Sequence, residues 1–382
     1  MKNTITKIQH FILFDIDSSS VGATLVRHGK NSDSILIKRE ELFSLRKNIT
    51  NGNEYPFDRF FDLTCATLRK VADEILLQSL IHIDTIYVNV STPWMSAQKR
   101  VINYEKKKPF IFTKELADEL VEKEIASSFD HNIDYAKHDV DLIDRRIVDV
   151  YANGYPTRNA LGKEMSQVEI HTLTSVMSKK TKQTFSGILE QVFHRDVTFV
   201  SNTFINYQSA QTLLPDINDA IVVDLAGEVT DVLLVKDDHL LQVGSIPVGT
   251  HHIVRTLRDT LKISINKAHS LLRLRNDNHL DEAYADSLEN ALSQAFTLWF
   301  KEFFNLLDRY AQSGVLPHTI VLKADTQTLS WVEEQILKQD HLAEHMHAGS
   351  KIEIITLFNN KKNLAFHDAE LGIFDAFLAE QA

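Results

Sequence analysis

Hydrophobic residues follow two patterns along this chain: short apolar or alternating runs, which are typical of strands, and repeats at every third or fourth position, which are typical of helices. Because the two patterns alternate along the sequence, they predict an α/β protein. Residues 221–223 are apolar throughout, which is typical of a strand covered on both faces. Residues 58–80 repeat apolar side chains every third or fourth position, which predicts a helix with one packed face. Further helices are predicted to begin at 113, 179, 202, 251, 265, 281 and 371. The other predicted strands cover 11–17, 21–27, 34–43, 85–90, 100–104, 146–152, 167–176, 196–200, 229–235, 240–246 and 319–322.

A buried strand that ends in a carboxylate occurs twice in this pattern. Residues 220–250 begin AIVVDLAGEVT, so the strand ends at Asp224 and a tight turn follows. Residues 11–26 read FILFDIDSSSVGATLV and align with it without gaps, with Asp15 over Asp224. A carboxylate at such a position is costly unless it meets a cation, so both should face a cleft. Two such units predict two equivalent halves with the cleft between them.

These paired motifs resemble the two phosphate-binding loops of the actin, Hsp70 and sugar-kinase superfamily, whose two halves clamp ATP and magnesium. The resemblance implies a two-lobed, actin-like (ribonuclease H-like, duplicated) α/β fold. It also implies that Asp15 and Asp224 hold magnesium through water. The loop residues that would contact the nucleotide, through N–H groups or through the hydroxyls of the serine and threonine, are Ser18, Ser19, Gly227, Glu228 and Thr230.

Three positions depart from the superfamily pattern. Lys323 begins the sequence KADTQ where those proteins have a glycine-rich adenosine loop. It is a candidate nucleotide contact, but its side chain or that of Gln327 would intrude on the base. Asp17 replaces a glycine of the first loop, and Asn202 stands where an acidic residue is common. The sequence therefore predicts at most a slow ATPase, and the alternative is a pseudoenzyme whose acids only end strands.

Residues 96–178 interrupt the first half with a helix and three strands, and Lys106–Lys108 are predicted to form a turn. The run YANGYP at 151–156, followed by Gly162 and the strand after it, resembles the inserted subdomain of the bacterial actin relatives FtsA and PilM. The segment IPVGTHHIVRTLRDTLKISINKAHSLL resembles the same families. The implied division is first lobe 1–95, inserted SHS2-type subdomain 96–178, first lobe again 179–215, second-lobe core 216–250, helical subdomain 251–313 and second-lobe core 314–382.

The function implied by this resemblance is that of a cytoplasmic scaffold or adaptor for a membrane machine, either a type IV pilus or the division ring. In these families the insertion makes protein contacts, so a cytoplasmic peptide of a membrane protein is the expected partner. A dimer or polymer is a further expectation. The basic membrane helix that FtsA commonly carries is not seen in this sequence, which favours PilM-like recruitment by a partner without a direct membrane anchor.

An alternative from the same superfamily is an ATP-dependent small-molecule kinase. That activity needs a third carboxylate as base and a substrate lobe inserted elsewhere, and the sequence offers neither. The two functions would be separated by nucleotide binding with and without magnesium.

Composition and charge bear on the partners, the redox state and the location of the protein. The 382 residues carry 43% hydrophobic and 24% charged side chains and a net charge of −11, which disfavours nucleic-acid binding. Cys65 is the only cysteine in the sequence, so an internal disulfide is excluded. It is predicted to be an inert thiol on a helix. No apolar run is long enough for a membrane span and no signal-peptide core is seen, so a cytoplasmic location is expected. His341, His345 and His347 are predicted to lie at an exposed helix end, and His251 is assigned no role.

Overall fold

The computed structural model describes residues 9–28, 33–41, 57–78, 82–131, 139–157, 159–324, 326–339, 346 and 351–356. The described strands form three sheets. The first sheet contains β1 (Gln9–Ile16), β2 (Ser20–His28), β3 (Asp33–Glu41), β4 (Thr85–Val90) and β9 (Val197–Ser201). The second contains β10 (Ala220–Leu225), β11 (Thr230–Lys236), β12 (His239–Ile246), β13 (Thr319–Ala324) and β14 (Glu353–Thr356).

The first two sheets share one topology. The order is β3-β2-β1-β4-β9 in one and β12-β11-β10-β13-β14 in the other. In each, an antiparallel meander of three strands is followed by two strands that run parallel to the first. The predicted duplication of an α/β half is therefore confirmed. Because the sheets are equivalent, Asp15 in β1 and Asp224 in β10 occupy corresponding places near the ends of their strands.

The third sheet is antiparallel and lies in the segment between β4 and β9. It has the order β5-β8-β6-β7 and contains β5 (Met95–Ile111), β6 (Val140–Ala152), β7 (Tyr155–Pro156) and β8 (Glu164–Ser178). The helices in the described part of the chain are α1 (Phe57–Gln78), α2 (Lys114–His131), α3 (Lys179–Phe193), α4 (Asn202–Leu213), α5 (Thr250–Leu261), α6 (Ile265–Asn276), α7 (Glu282–Ala311) and α8 (Thr326–Leu337).

Most predicted elements occur within a few residues of their predicted bounds, but the turn at Lys106–Lys108 is wrong. These lysines lie inside β5, which continues to Ile111 with a shift of register between Glu105 and Phe110. The lysines lie in the irregular part of this edge strand, where residues 106–109 have no partner in β8 and pairing resumes at Phe110. Exposed lysines at a sheet edge also discourage pairing with other molecules. The helix expected at 371–378 and His341, His345 and His347 lie outside the described residues.

The long helix α7 has an apolar stripe that is part of the core of the second half. Trp299, Phe303 and Leu307 are fully buried there against the second sheet and neighbouring helices. A separate cluster joins the two halves, since it includes Leu13 of β1 and Val222 of β10 together with side chains of α4. This shared core fixes the position of one half against the other.

Cys65 lies on α1 and is partly buried, and burial raises the pKa of its thiol to about 11. A thiol with so high a pKa is almost entirely protonated near neutral pH and reacts slowly. None of the helices in the described ranges is both long enough and apolar enough to cross a bilayer.

Candidate functional site

The two acidic turns meet between the halves, as the sequence predicts. The N–H group of Glu228 donates a hydrogen bond of 2.9 Å to the hydroxyl oxygen of Ser18. Gly227 lies so close to the first turn that an added Cβ atom would be 2.6 Å from the carbonyl oxygen of Ser18. Glycine is therefore required at this position by the direct contact of the two loops. The loops touch each other, so the cleft is closed at this point.

Asp224 is surrounded by three hydrogen-bond donors from two elements. Its Oδ2 atom accepts from the side-chain amides of Asn202 at 2.8 Å and Asn206 at 2.7 Å, both on α4. The same oxygen accepts from the ammonium group of Lys323 at 2.9 Å. Lys323 is the neighbour of Asp224 in the register of β10 with β13, and both side chains are more than nine-tenths buried. Asp224 is thus neutralised by a lysine of its own chain.

Asp15 has an amide in the corresponding place. Asn89, its partner in the register of β1 with β4, donates to Asp15 Oδ1 at 2.8 Å. The same amide group lies 3.3 Å from the side-chain oxygen of Asn202, which in turn contacts Asp224. The two predicted acidic residues are therefore linked through two asparagines. Asn89 and Asn206 were not identified from the sequence. Asn89 pairs with Asp15 as Lys323 pairs with Asp224, so the duplication of the fold was the signal that could have pointed to Asn89.

Asp17, the acid that replaces a glycine, closes the first turn on itself. Its carboxylate accepts hydrogen bonds from the N–H groups of Ser19 and Ser20 and from the hydroxyl of Ser19. Its main-chain carbonyl accepts a 3.1 Å hydrogen bond from the indole N–H of Trp94. A carboxylate of the chain therefore occupies the N–H group of Ser19, which is one of those predicted to face phosphate, and also that of Ser20.

Glu228 belongs to a buried ion pair that the sequence did not reveal. Arg255 of α5 donates to both carboxylate oxygens at 2.7 and 2.8 Å, and His251 lies 3.2 Å from one of them. Burial alone would raise the pKa of Glu228, but the hydrogen bonds from His251 and Arg255 outweigh it and lower the pKa to about 2. The signal in the sequence was the four-residue spacing of His251 and Arg255 on one helix face.

The hydroxyl of Thr230 is also engaged inside the protein. It donates to the carbonyl oxygen of Val248 at 2.7 Å and accepts from the indole N–H of Trp299 at 3.0 Å. Next to it, Asp231 accepts a 2.5 Å hydrogen bond from the hydroxyl of Ser245. Burial raises the pKa of Asp231 to about 6.

Replacing Asp231 by asparagine is expected to stabilise the protein at pH 8. The pKa of Asp231 in the folded protein is above its unfolded value of about 3.9. Ionisation of this carboxyl group therefore lowers the free energy of unfolding as the pH rises through about 4 to 6 and above. The neutral amide of the variant would carry no such penalty, and the expected gain at pH 8 is up to about 3 kcal/mol. The measurement is urea unfolding of both proteins at pH 8 and at pH 4, where the gain should disappear. Asp259→Asn, at a more exposed carboxylate, is the control; an equal effect of Asp231→Asn at both pH values would contradict the prediction.

Magnesium and ATP, which the resemblance implies, do not fit these residues as they are arranged. One carboxylate oxygen of Asp224, Oδ2, already accepts three hydrogen bonds, one of them from an ammonium group, so the chain's own donors stand where metal-bound water would donate. The amide of Ser19 binds Asp17, and that of Glu228 binds Ser18. The predicted site residues are thus brought to one region, where Ser18 contacts Gly227 and Glu228 and where Lys323 contacts Asp224. Their roles toward a nucleotide stay predictions.

A cavity of about 330 Å³ lies apart from this region, between the first half and the third sheet. Its apolar wall includes Trp94, Met95 and Met177, which are almost fully buried. The ring of Trp94 stacks on Phe60 with centroids 5.0 Å apart and also contacts side chains of α1 and α3. The full lining is Phe57, Asp58, Phe61, Pro93, Trp94, Met95, Ser96, Val140, Val176, Met177, Ser178, Lys180 and Thr181.

A second, larger cavity of about 770 Å³ separates the third sheet from the second half and is polar. Asp149 of β6 is hydrogen-bonded there to His239 of β12, and its other oxygen lies 3.9 Å from His171. The ring of Tyr151 packs on both histidines. Among the described residues no group of three or more His, Cys, Asp or Glu side chains is placed to hold a metal ion. This cluster therefore connects the third sheet to the second half by polar contacts.

Comparison with known proteins identifies the fold. No protein-family model matches the chain, and no curated protein matches its sequence. Among solved structures, the PilM–PilN type IV pilus biogenesis complex is similar with a TM-score of 0.59 and 14% identity, over 91% of this chain and 88% of that one. An actin-like ATPase-fold protein of unknown function from Bacteroides thetaiotaomicron covers 99% of both chains at 11% identity and a TM-score of 0.45. The ethanolamine utilization protein EutJ from Carboxydothermus hydrogenoformans covers 92% and 86% at 12% identity and a TM-score of 0.41.

The chain therefore has the two-lobed α/β fold of the actin-like ATPases, as the sequence predicts. At this level of identity the likeness establishes the fold, and the function has to be argued from the site.

Proposed function

We infer that this protein is an actin-like adaptor that binds a short cytoplasmic segment of a membrane protein. The observation that carries this proposal is the apolar cavity between the first half and the third sheet. With about 330 Å³ it has room for a few apolar side chains, and its wall is formed by aromatic and methionine side chains held in place by their own packing. Such a cavity suits an apolar anchor residue of a peptide.

The edge strand β5 supports an extended peptide as the occupant. It begins beside the cavity with Met95, which is buried in the wall, and Ser96, which is exposed at the mouth. In the described sheet it pairs with β8 on one side only. An extended segment whose apolar side chain enters the cavity could continue along this edge by main-chain hydrogen bonds. This proposal treats residues 96–178 as an inserted interaction subdomain, in keeping with the predicted division of the chain.

The machine that we propose is of the type IV pilus kind. The support is the overall similarity to a PilM–PilN complex, whose name records two proteins assembled in type IV pilus biogenesis. The protein would then be recruited to the inner face of the membrane by its partner. The division ring, a dimer or filament, and slow ATP hydrolysis are predictions from the sequence that this proposal does not need. The small-molecule kinase is less favoured because Asp224 is already paired with Lys323.

The proposal is tested with synthetic peptides that cover the cytoplasmic segments of single-pass membrane proteins encoded beside this chain. Binding to the full chain is measured by calorimetry and by the fluorescence of Trp94, with Trp94→Phe to assign the signal. We expect one peptide to bind with a micromolar dissociation constant. If no such peptide binds, the proposed function is wrong.

Ser96→Trp is expected to weaken that binding at least about tenfold, because an indole at the mouth would occupy the space of the anchor residue. Gln98→Trp is the matched control, since Gln98 is on the same face of β5, two residues along, and outside the cavity. Equal affinities for these two variants would place the binding site elsewhere and contradict the proposal.

A further inference from the structure

We propose that this protein carries its own substitutes for both charges of a magnesium nucleotide, and that its two halves are held together without one. Lys323 stands in for the metal cation and Asp17 for the phosphate anion. The proposal goes beyond the adaptor function, because it states that the closed arrangement of the halves, and any partner binding that depends on it, is independent of nucleotide.

The cation is the ammonium group of Lys323. Only 9% of this side chain is exposed, and a buried ammonium is costly unless it is paired and hydrogen-bonded. The ammonium group of Lys323 is both paired and hydrogen-bonded. Its nitrogen lies 2.9 Å from Asp224 Oδ2, 3.3 Å from the side-chain oxygen of Asn206 and 3.4 Å from that of Asn202. Three oxygen atoms from two elements thus surround one positive charge. Carboxylate and amide oxygens are also the ligands that a hard metal ion prefers, so the lysine uses the same donor set.

The anion is the carboxylate of Asp17. It accepts hydrogen bonds from the main-chain N–H groups of Ser19 and Ser20 and from the hydroxyl of Ser19, all in the turn that follows Asp17. Successive N–H groups of this kind form the concave sites that bind phosphate in other proteins. Here the chain supplies the negative charge itself. A phosphate would have to displace Asp17, which the indole of Trp94 holds through the main chain of the same residue.

The contact between the two loops completes the arrangement. Gly227 lies against the main chain of Ser18, and the hydroxyl of Ser18 accepts the N–H of Glu228. A phosphate group between the loops would require both contacts to open. The side chain of Glu228 is held by Arg255, so the second loop is anchored to α5 as well. With charges compensated on both sides, a metal nucleotide has no net interaction to gain by opening the cleft.

The first test is nucleotide binding by the whole 382-residue chain. Calorimetry with ATP and with ADP, each with and without magnesium, is expected to give no measurable binding up to about 1 mM of ligand. The thermal unfolding midpoint should shift by less than about 1 °C under the same conditions. Magnesium-dependent binding of either nucleotide below this concentration would overturn the proposal. That result would leave the peptide-binding test of the adaptor function unaffected.

The second test removes the internal cation. Lys323→Met is expected to lower the unfolding midpoint by roughly 10 °C, because it leaves Asp224 buried without its positive partner. Adding Asp224→Asn to Lys323→Met should recover at least about half of that loss, since no isolated charge remains. Lys338→Met, which breaks an exposed pair with Glu334 on α8, is the control and should shift the midpoint by less than about 2 °C.

Magnesium gives an independent readout for the same variants. At 10 mM or so it should raise the midpoint of Lys323→Met and leave the wild type unchanged, because only the variant offers an uncompensated carboxylate. If Lys323→Met does not fold, the double variant carries the test, since it should fold and be insensitive to magnesium. A single variant as stable as the wild type, or a double variant no more stable than the single, would overturn the proposal.

Discussion

Replacing Arg255 by methionine is expected to lower the free energy of unfolding by about 3–5 kcal/mol. The guanidinium group is 1% exposed and the carboxylate of Glu228 is 2% exposed, so the change leaves a buried acid without its main partner. Glu228 is then expected to take up a proton more readily, because His251 and Arg255 together lower its pKa to about 2 and only His251 remains. Chemical denaturation followed by circular dichroism measures the loss.

The matched control for this prediction lies on the same helix. Arg258→Met removes a cation about one turn further along α5, where its partner Asp259 is about half exposed, and should cost less than about 1 kcal/mol. Acid titration of the wild type gives a second check. Because the pKa of Glu228 is lowered on folding, its contribution is present above about pH 4.5 and is lost as the pH falls toward 2. A similar loss in both arginine variants would contradict a special role for the buried pair.

Replacing Trp299 by alanine is the second change for which a large effect is expected, about 3–5 kcal/mol of unfolding free energy. The indole is fully buried on α7, stacks on Phe303 with centroids 4.7 Å apart, and donates its N–H to Thr230. Its removal leaves a large cavity and also takes a hydrogen bond from the second loop of the interlobe site. Urea unfolding followed by circular dichroism is the measurement.

Two variants separate the packing of Trp299 from its hydrogen bond. Trp299→Phe keeps an aromatic ring in the core but loses the donor to Thr230, and should cost roughly 1–2 kcal/mol. Phe304→Ala, on the same helix at a partly buried position, should cost less than Trp299→Ala because its environment can be filled by solvent. If Trp299→Phe is as unstable as Trp299→Ala, the hydrogen bond rather than the packing dominates.

Trp94 connects the two sites that the structure offers. Its ring forms part of the wall of the apolar cavity, and its N–H group holds the turn that contains Asp17. A peptide in the cavity would therefore lie against a side chain that also contacts the interlobe loops. This is a physical link between the proposed partner site and the closed cleft, and no nucleotide is needed for it.

Several features of this protein could be read from local pattern. The strand β10 is a short apolar run that ends at a turn, and the helix α7 repeats apolar residues every third or fourth position over many turns. Both patterns are long or distinct enough to predict the element within a few residues. The matching of Asp15 with Asp224 predicted a duplicated fold because both strands end in the same unusual way. The turn expected at Lys106–Lys108 failed because polarity at a sheet edge does not reveal whether a strand continues.

The chemistry of the site was decided only by the tertiary structure. Lys323 was noticed as an obstacle to adenosine, but its ammonium group lies on Asp224 because β13 and β10 are neighbours in register. The spacing of His251 and Arg255 places them on one helix face, but nothing in the sequence names Glu228 as their partner, and nothing names Asn89 as the partner of Asp15. A charge in a sequence has no partner until folding brings one to it from a distant segment. Whether an acidic turn binds a metal nucleotide or the chain's own lysine depends on that long-range pairing.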